Sequence, residues 1–85
     1  MRIIYSSTFK KSYKKLPMTD KLVAEKKEKI FRINFGDESL KTHKLHGKLK
    51  DFWAFSVDND YRIIFEFVDA NTVYFHTVGR HDIYN

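Results

Sequence analysis

The spacing of apolar residues changes once along this chain, from a helical repeat near the N-terminus to strict alternation in the second half. Arg2–Ser6, with Ile3, Ile4 and Tyr5, reads as a short opening strand. Ser7 or Thr8 can cap a helix running to about Leu16, because Phe9, Tyr13 and Leu16 recur at i, i+4 and i+7 and share one face. Pro17 ends it, having no N–H to continue the ladder. Thr19 or Asp20 caps a second helix to about Asn34, with Leu22, Val23, Ile30 and Ile33 expected inward and Ala24 to Lys29 mostly outward; Gly36 stops it. So short a connection predicts an antiparallel hairpin.

From Phe52 the period is two, with Trp53, Phe55 and Val57 on one side and Phe52, Ala54 and Ser56 on the other. Asp58-Asn59 reads as a two-residue turn, Tyr61 to Phe67 as the next strand, Asp69-Ala70-Asn71 as a loop and Thr72 to Val78 as the last strand. Alternation puts Arg62, Ile64 and Glu66 on one face and Tyr61, Ile63, Phe65 and Phe67 on the other. On the last strand His76 falls with Thr72, Tyr74 and Val78, against Val73, Phe75 and Thr77. The expected fold is α+β: an N-terminal strand, a two-helix antiparallel hairpin, then a three-stranded antiparallel meander packed on the helices. Trp53 is expected to pack against the sheet, and His76 to hydrogen-bond within or above it. Arg62 has a structural reading too, as a cross-strand partner of Glu66 or of a turn aspartate.

Composition narrows the class. Eighty-five residues make one domain, 1–85, with a modest core, and 42% hydrophobic with 16% aromatic residues is more than a disordered chain carries. Without cysteine there is neither a disulfide framework nor a thiolate metal site. No apolar run approaches the roughly 20 residues of a membrane span, and Met1–Tyr5 lacks a signal-peptide pattern, so a cytoplasmic protein is expected. Charge is divided unevenly: residues 1–50 hold 14 Lys/Arg against five Asp/Glu, net +9, and residues 51–85 hold two against six, net −4. So basic a front half points to a polyanionic or acidic partner, while Lys10, Lys11, Lys14, Lys15, Lys26, Lys27 and Lys29 also read as solvated helix faces.

The chemistry-bearing side chains gather in the second half: His43, Lys44, His46, Arg62, His76, Arg80, His81 and Tyr84. Imidazoles titrate near neutrality and guanidinium forks match phosphate oxygens, so the set can grip a phosphate and move protons without a metal. His43 and His46 form a His-x-x-His pair, but with no Cys or acidic cluster nearby it makes a poor zinc site.

Three segments carry a resemblance: His43-Lys-Leu-His-Gly-Lys-Leu-Lys-Asp-Phe-Trp53, Asp60-Tyr-Arg62-Ile-Ile-Phe65 and Val78-Gly-Arg-His81-Asp-Ile-Tyr84. In this order and spacing the chain resembles the RelE/ParE superfamily of toxins from type II toxin–antitoxin modules, most of all the YafQ, YoeB and RelE messenger RNA endonucleases. The resemblance implies a ribosome-dependent endoribonuclease in which the RNA 2′-hydroxyl attacks the adjacent phosphate, with no cofactor. It places His43 at a His or Glu base position, Asp60 at a site aspartate of the YafQ branch, Arg62 at the strand arginine and His81 at a terminal histidine. Tyr84 matches an aromatic near the C-terminus, and Arg80 stands where some relatives have Lys. Ser56 departs from the YafQ branch, which has a further His there. Implied roles are His43 as base, Arg62 and Arg80 as phosphate clamps, His81 as acid, Asp60 orienting an imidazole or reading a base edge, and Tyr84 stacking. Lys44, His46, Lys48 and Lys50 are further expected substrate contacts. The implied partners are an antitoxin, in a toxin–antitoxin hetero-oligomer, and the ribosome with its message. The ParE branch, which inhibits DNA gyrase on this fold, supplies a non-catalytic alternative, and a toxin whose activity has decayed supplies another.

Overall fold

In the computed structural model, residues 1–80 are described. Five strands, β1 (Arg2–Tyr5), β2 (His43–Lys44), β3 (Trp53–Ser56), β4 (Tyr61–Asp69) and β5 (Thr72–Arg80), form one sheet in the order β1-β5-β4-β3-β2. The expected meander is β3-β4-β5, antiparallel throughout. Two strands extend it: β1 lies parallel to β5, and the two-residue β2, absent from the sequence reading, pairs antiparallel with β3 at the opposite edge. The β3–β4 connection is longer than a two-residue turn, since Val57 N–H donates to Tyr61 O at 2.9 Å and Asp58 Oδ1 accepts from the N–H groups of Asp60 and Tyr61.

The helices are α1 (Ser7–Lys14) and α2 (Met18–Ile33), joined by Lys15, Leu16 and Pro17. Ser6, one residue before the expected caps, caps α1: its Oγ accepts from Phe9 N–H at 2.9 Å and donates to His76 O at 2.7 Å. Ser12 Oγ accepts from Val78 N–H at 3.1 Å, so α1 covers the β5 edge where β1 has ended. α2 begins earlier than expected, with Pro17 rather than Thr19 or Asp20 at the cap position; its fixed φ of −56° suits a helix start. The inward face of α2 is centred on Ala24 and Phe31, 2% and 0% exposed, whereas Leu22 and Ile33 are 53% and 88% exposed. Each of those two lies two residues, about 200° of helix rotation, from a buried one, so it points outward.

One face of the sheet packs on the helices through Phe55, Val57, Ile63, Phe65, Val73, Phe75 and Val78, against Phe9, Leu16, Ala24, Phe31 and Leu40. The Phe31 ring is central, 4.6, 4.9 and 5.7 Å from Phe55, Phe65 and Phe75. Alternation fails once in β5. Ile64 lies opposite Thr77 but Phe65 opposite Phe75, so His76 is the extra residue of a bulge, and Val78 joins Val73 and Phe75 in the core instead of sharing a face with His76. The other face carries a small second core, Leu45, Ala54 and Ile64, over which Leu49 and Phe52 fold.

Candidate functional site

The face turned away from the helices collects most of the polar chemistry. Arg62 reaches it because Ile63 and Phe65 take the helix-facing positions of β4, and its cross-strand partners are Ser56 and Gly79. The Arg62 side chain is half-buried, and its Nε is shielded from solvent with no hydrogen-bond partner among the described residues. Glu66, on the same face of β4, does not pair with Arg62; its Oε1 lies 3.1 Å from His76 Nε2. A shielded guanidinium N–H without an acceptor costs more than the ~1–3 kcal/mol of a neutral group, unless something arrives to accept it.

His43 sits on β2 opposite Ala54 and shares this face. Two 3-10 turns, Glu38–Leu40 and Gly47–Leu49, bracket it. The first ends at Lys41 with φ of 50°, and the second starts at Gly47 with φ of 70°, where a side chain would strain the backbone although there is space for one. Lys41 O lies 2.9 Å from His43 Nδ1. A carbonyl only accepts, so Nδ1 carries the hydrogen and Nε2 of the exposed ring is the nitrogen turned to other partners. At ~4.8 Å per strand and ~3.4 Å per residue, the backbones of His43 and Arg62 lie about 12 Å apart, within joint reach of one phosphodiester through their side chains.

The remaining sequence-selected residues divide. His46, Lys48 and Lys50 are exposed on the segment that folds over Ala54 and Ile64. Lys44, opposite Trp53, and Arg80, opposite Tyr61, belong to the helix side of the sheet, and the Arg80 guanidinium lies 5.5 Å from the Tyr61 ring centre. Arg62 and Arg80 therefore occupy opposite faces. Asp60 is exposed in the β3–β4 turn. Nearby, a hydrogen bond shared with Asp58 raises the pKa of Asp20, with burial and the charges of Asp58 and Asp60 adding and Arg80 opposing. His81 and Tyr84 lie outside the described residues. The lysines of α1 and α2 stand on the layer behind the sheet, away from Arg62.

The sequence reading gave Glu66 and His76 no individual role in the reaction, and the expected hydrogen bond of His76 within the sheet is the one to Glu66. His76 is 29% and Glu66 38% exposed, and the His76 ring lies 4.6 Å from both Phe52 and Tyr74. Period-two alternation gives Arg62 and Glu66 a common face and sets His76 with Tyr74, which lies opposite Glu66, but the contact of His76 with Glu66 across the bulge leaves no mark in the sequence. Among the described residues no three His, Asp or Glu side chains converge on a metal position, and no helix is long and apolar enough to cross a membrane.

Residues 1–78 match the family model of HigB-like toxins, described as RelE-like toxins of type II toxin–antitoxin systems. Among solved structures, YafQ from Escherichia coli is similar at 23% identity, with 95% of this chain and 94% of that one covered and a TM-score of 0.75. A copper-bound mutant toxin from Helicobacter pylori has 21% identity, coverages of 95% and 94% and a TM-score of 0.77. A heterotetrameric YoeB–YefM toxin–antitoxin complex from Staphylococcus aureus has 18% identity, coverages of 95% and 97% and a TM-score of 0.75. No curated protein sequence matches.

Proposed function

This chain belongs to the RelE-like toxins of type II toxin–antitoxin systems, and on that premise we propose that it is a ribosome-dependent, metal-independent messenger RNA endonuclease. The observation that carries the reading is Arg62, whose shielded Nε on the open face has no acceptor among the described residues. A phosphate oxygen arriving there gains a charge-assisted hydrogen bond and relieves an unpaired donor. In the reaction, Nε2 of His43 takes the proton of a ribose 2′-hydroxyl. The oxygen bonds to the adjacent phosphorus, the bond from phosphorus to the 5′ oxygen breaks, and a 2′,3′-cyclic phosphate remains. Arg62 holds the growing negative charge, and the leaving 5′ oxygen takes a proton from an acid, a role assigned to His81 by the resemblance. Asp60, Arg80 and Tyr84 keep supporting roles in this proposal: orientation of an imidazole, a remote phosphate contact and stacking. Lys44, His46, Lys48 and Lys50 carry the message or ribosomal RNA past the edge formed by β2, which makes binding fall steeply with salt.

The partner in this reading is an antitoxin in a toxin–antitoxin hetero-oligomer. Its acidic or amphipathic segment covers the Arg62 face and silences it. The deciding experiment is primer extension on message in a purified translation system, with and without ribosomes. Ribosome-dependent cuts that drop at least about 100-fold in Arg62→Ala are the expected result. Intact message with the unaltered protein would overturn the reading, and a DNA supercoiling assay would then test the gyrase-directed alternative.

A further inference from the structure

Beside Arg62 and His43 the open face carries a second cluster that neither the scissile phosphate nor the moving protons require. Glu66 holds His76 at 3.1 Å, and the imidazole is bracketed by the rings of Phe52 and Tyr74. Next to it is a hollow of about 300 Å³ lined by Ser6, Ser7, Thr8, Tyr74, His76 and Thr77. The fold has little need of this arrangement, because a His–Glu pair exposed to this degree contributes at most about 1 kcal/mol. His76 is nevertheless the extra residue of the β5 bulge, on the open face with Tyr74, and bulges are over-represented beside active sites.

The lining selects the ligand class. The Glu66 carboxylate only accepts, so His76 Nε2 carries the hydrogen and Nδ1 is the ring's remaining polar atom. Flat aromatic walls, a ring nitrogen and hydroxyl groups of both hydrogen-bonding kinds suit a planar heterocycle with a polar edge. The carboxylate of Glu66 disfavours a free anion, and a lone carboxylate paired to an imidazole is too few ligands for a hard cation. The His76 backbone is about 10 Å from that of Arg62, one strand across and about three residues along, so a single-stranded segment held at Arg62 reaches it. We propose that the hollow beside Tyr74 and His76 is a nucleobase subsite, taking a base of the RNA strand whose phosphate Arg62 holds. The inference rests on the nuclease reading for its choice of ligand, and single-stranded RNA is recognised in this way, by stacking and edge contacts.

The test uses the full chain on ribosomes programmed with a message that carries one 4-thiouridine at successive positions. A 2′-deoxy sugar on the 5′ side of the cut keeps this message whole. Photocrosslinks from one position should map by mass spectrometry to the peptide containing Tyr74 and His76. On cleavable message, Tyr74→Leu and His76→Gln should each change the relative use of cut sites about tenfold according to the base at that same position, a shift that a mere loss of stability would not produce. Normal cutting with unchanged cut-site use and crosslinks elsewhere would overturn the subsite and leave the nuclease reading standing. Crosslinking at Tyr74–His76 without any cleavage by the unaltered protein would overturn the nuclease reading and uphold the subsite. Absence of both would overturn both.

Discussion

The two faces of the sheet share the same strands yet are built to opposite ends. The helix-covered face is a stack of phenylalanine rings, with Phe31, Phe55, Phe65 and Phe75 all 0% exposed. Among the described residues the open face has only Leu45, Ala54 and Ile64 as buried apolar residues, and beside them stand a guanidinium whose Nε has no partner among those residues and a Glu–His pair. A single face carries nearly all the apolar burial, so the other can hold groups that are costly to place. Neighbours on β4 such as Arg62 and Ile63 therefore answer to different requirements.

The sharpest way to break this comparison is to weaken each face separately. Phe31→Ala should cost about 3–5 kcal/mol, because the ring sits among three others and leaves a cavity; urea or thermal unfolding measures it. Arg62→Met should do the reverse, lowering ribosome-dependent cutting about 100- to 1,000-fold while unfolding shows stability unchanged or slightly higher, since a shielded donor with no partner among the described residues is removed. Equal losses in both assays would mean that Arg62 belongs to the framework. Leu45→Ala, on the small core, should cost about 2 kcal/mol and show its effect locally, as faster hydrogen exchange over the segment 45–52.

The smallest effect lies away from both faces. The carboxylate of Asp37 accepts from the hydroxyl and the N–H of Ser39 at 2.7 and 2.9 Å, and these bonds, the hydroxyl first, hold its pKa below the usual aspartate value. A depressed folded-state pKa means stability that is present above the ordinary carboxylate range and lost as pH falls through the folded value. Asp37→Ala should thus melt below the parent protein at pH 7, with the difference closing in strong acid; a constant difference across pH would show that charge is not involved.

How much of the molecule is legible without coordinates follows from the range of the forces. The strand at Trp53–Ser56 and those read as Tyr61 to Phe67 and Thr72 to Val78, which the structure extends to Asp69 and Arg80, are readable because alternation is local, and α1 because Phe9 and Tyr13 repeat at helical spacing. The inward face of α2 is misread because Leu22 and Ile33 are as apolar as the residues that are buried, and only the sheet beneath decides which stripe is covered. The edge strand β2 is too short to carry a period. Of the site, the face that holds Arg62 is readable, the company of His43 rests on the resemblance, and the separation of Arg80 from Arg62 becomes visible only when the bulge moves Val78 into the core.

The sequence by itself determined the order of the helices and of strands β1, β3, β4 and β5, the family and the set of groups able to hold phosphate and move protons, because these depend on residue identity and short spacing. Only the tertiary structure decided which of those groups meet. The parallel pairing of β1 with β5, the bulge at His76 and the fold of residues 45–52 over Ala54 and Ile64 are contacts between distant segments, and no local period encodes them.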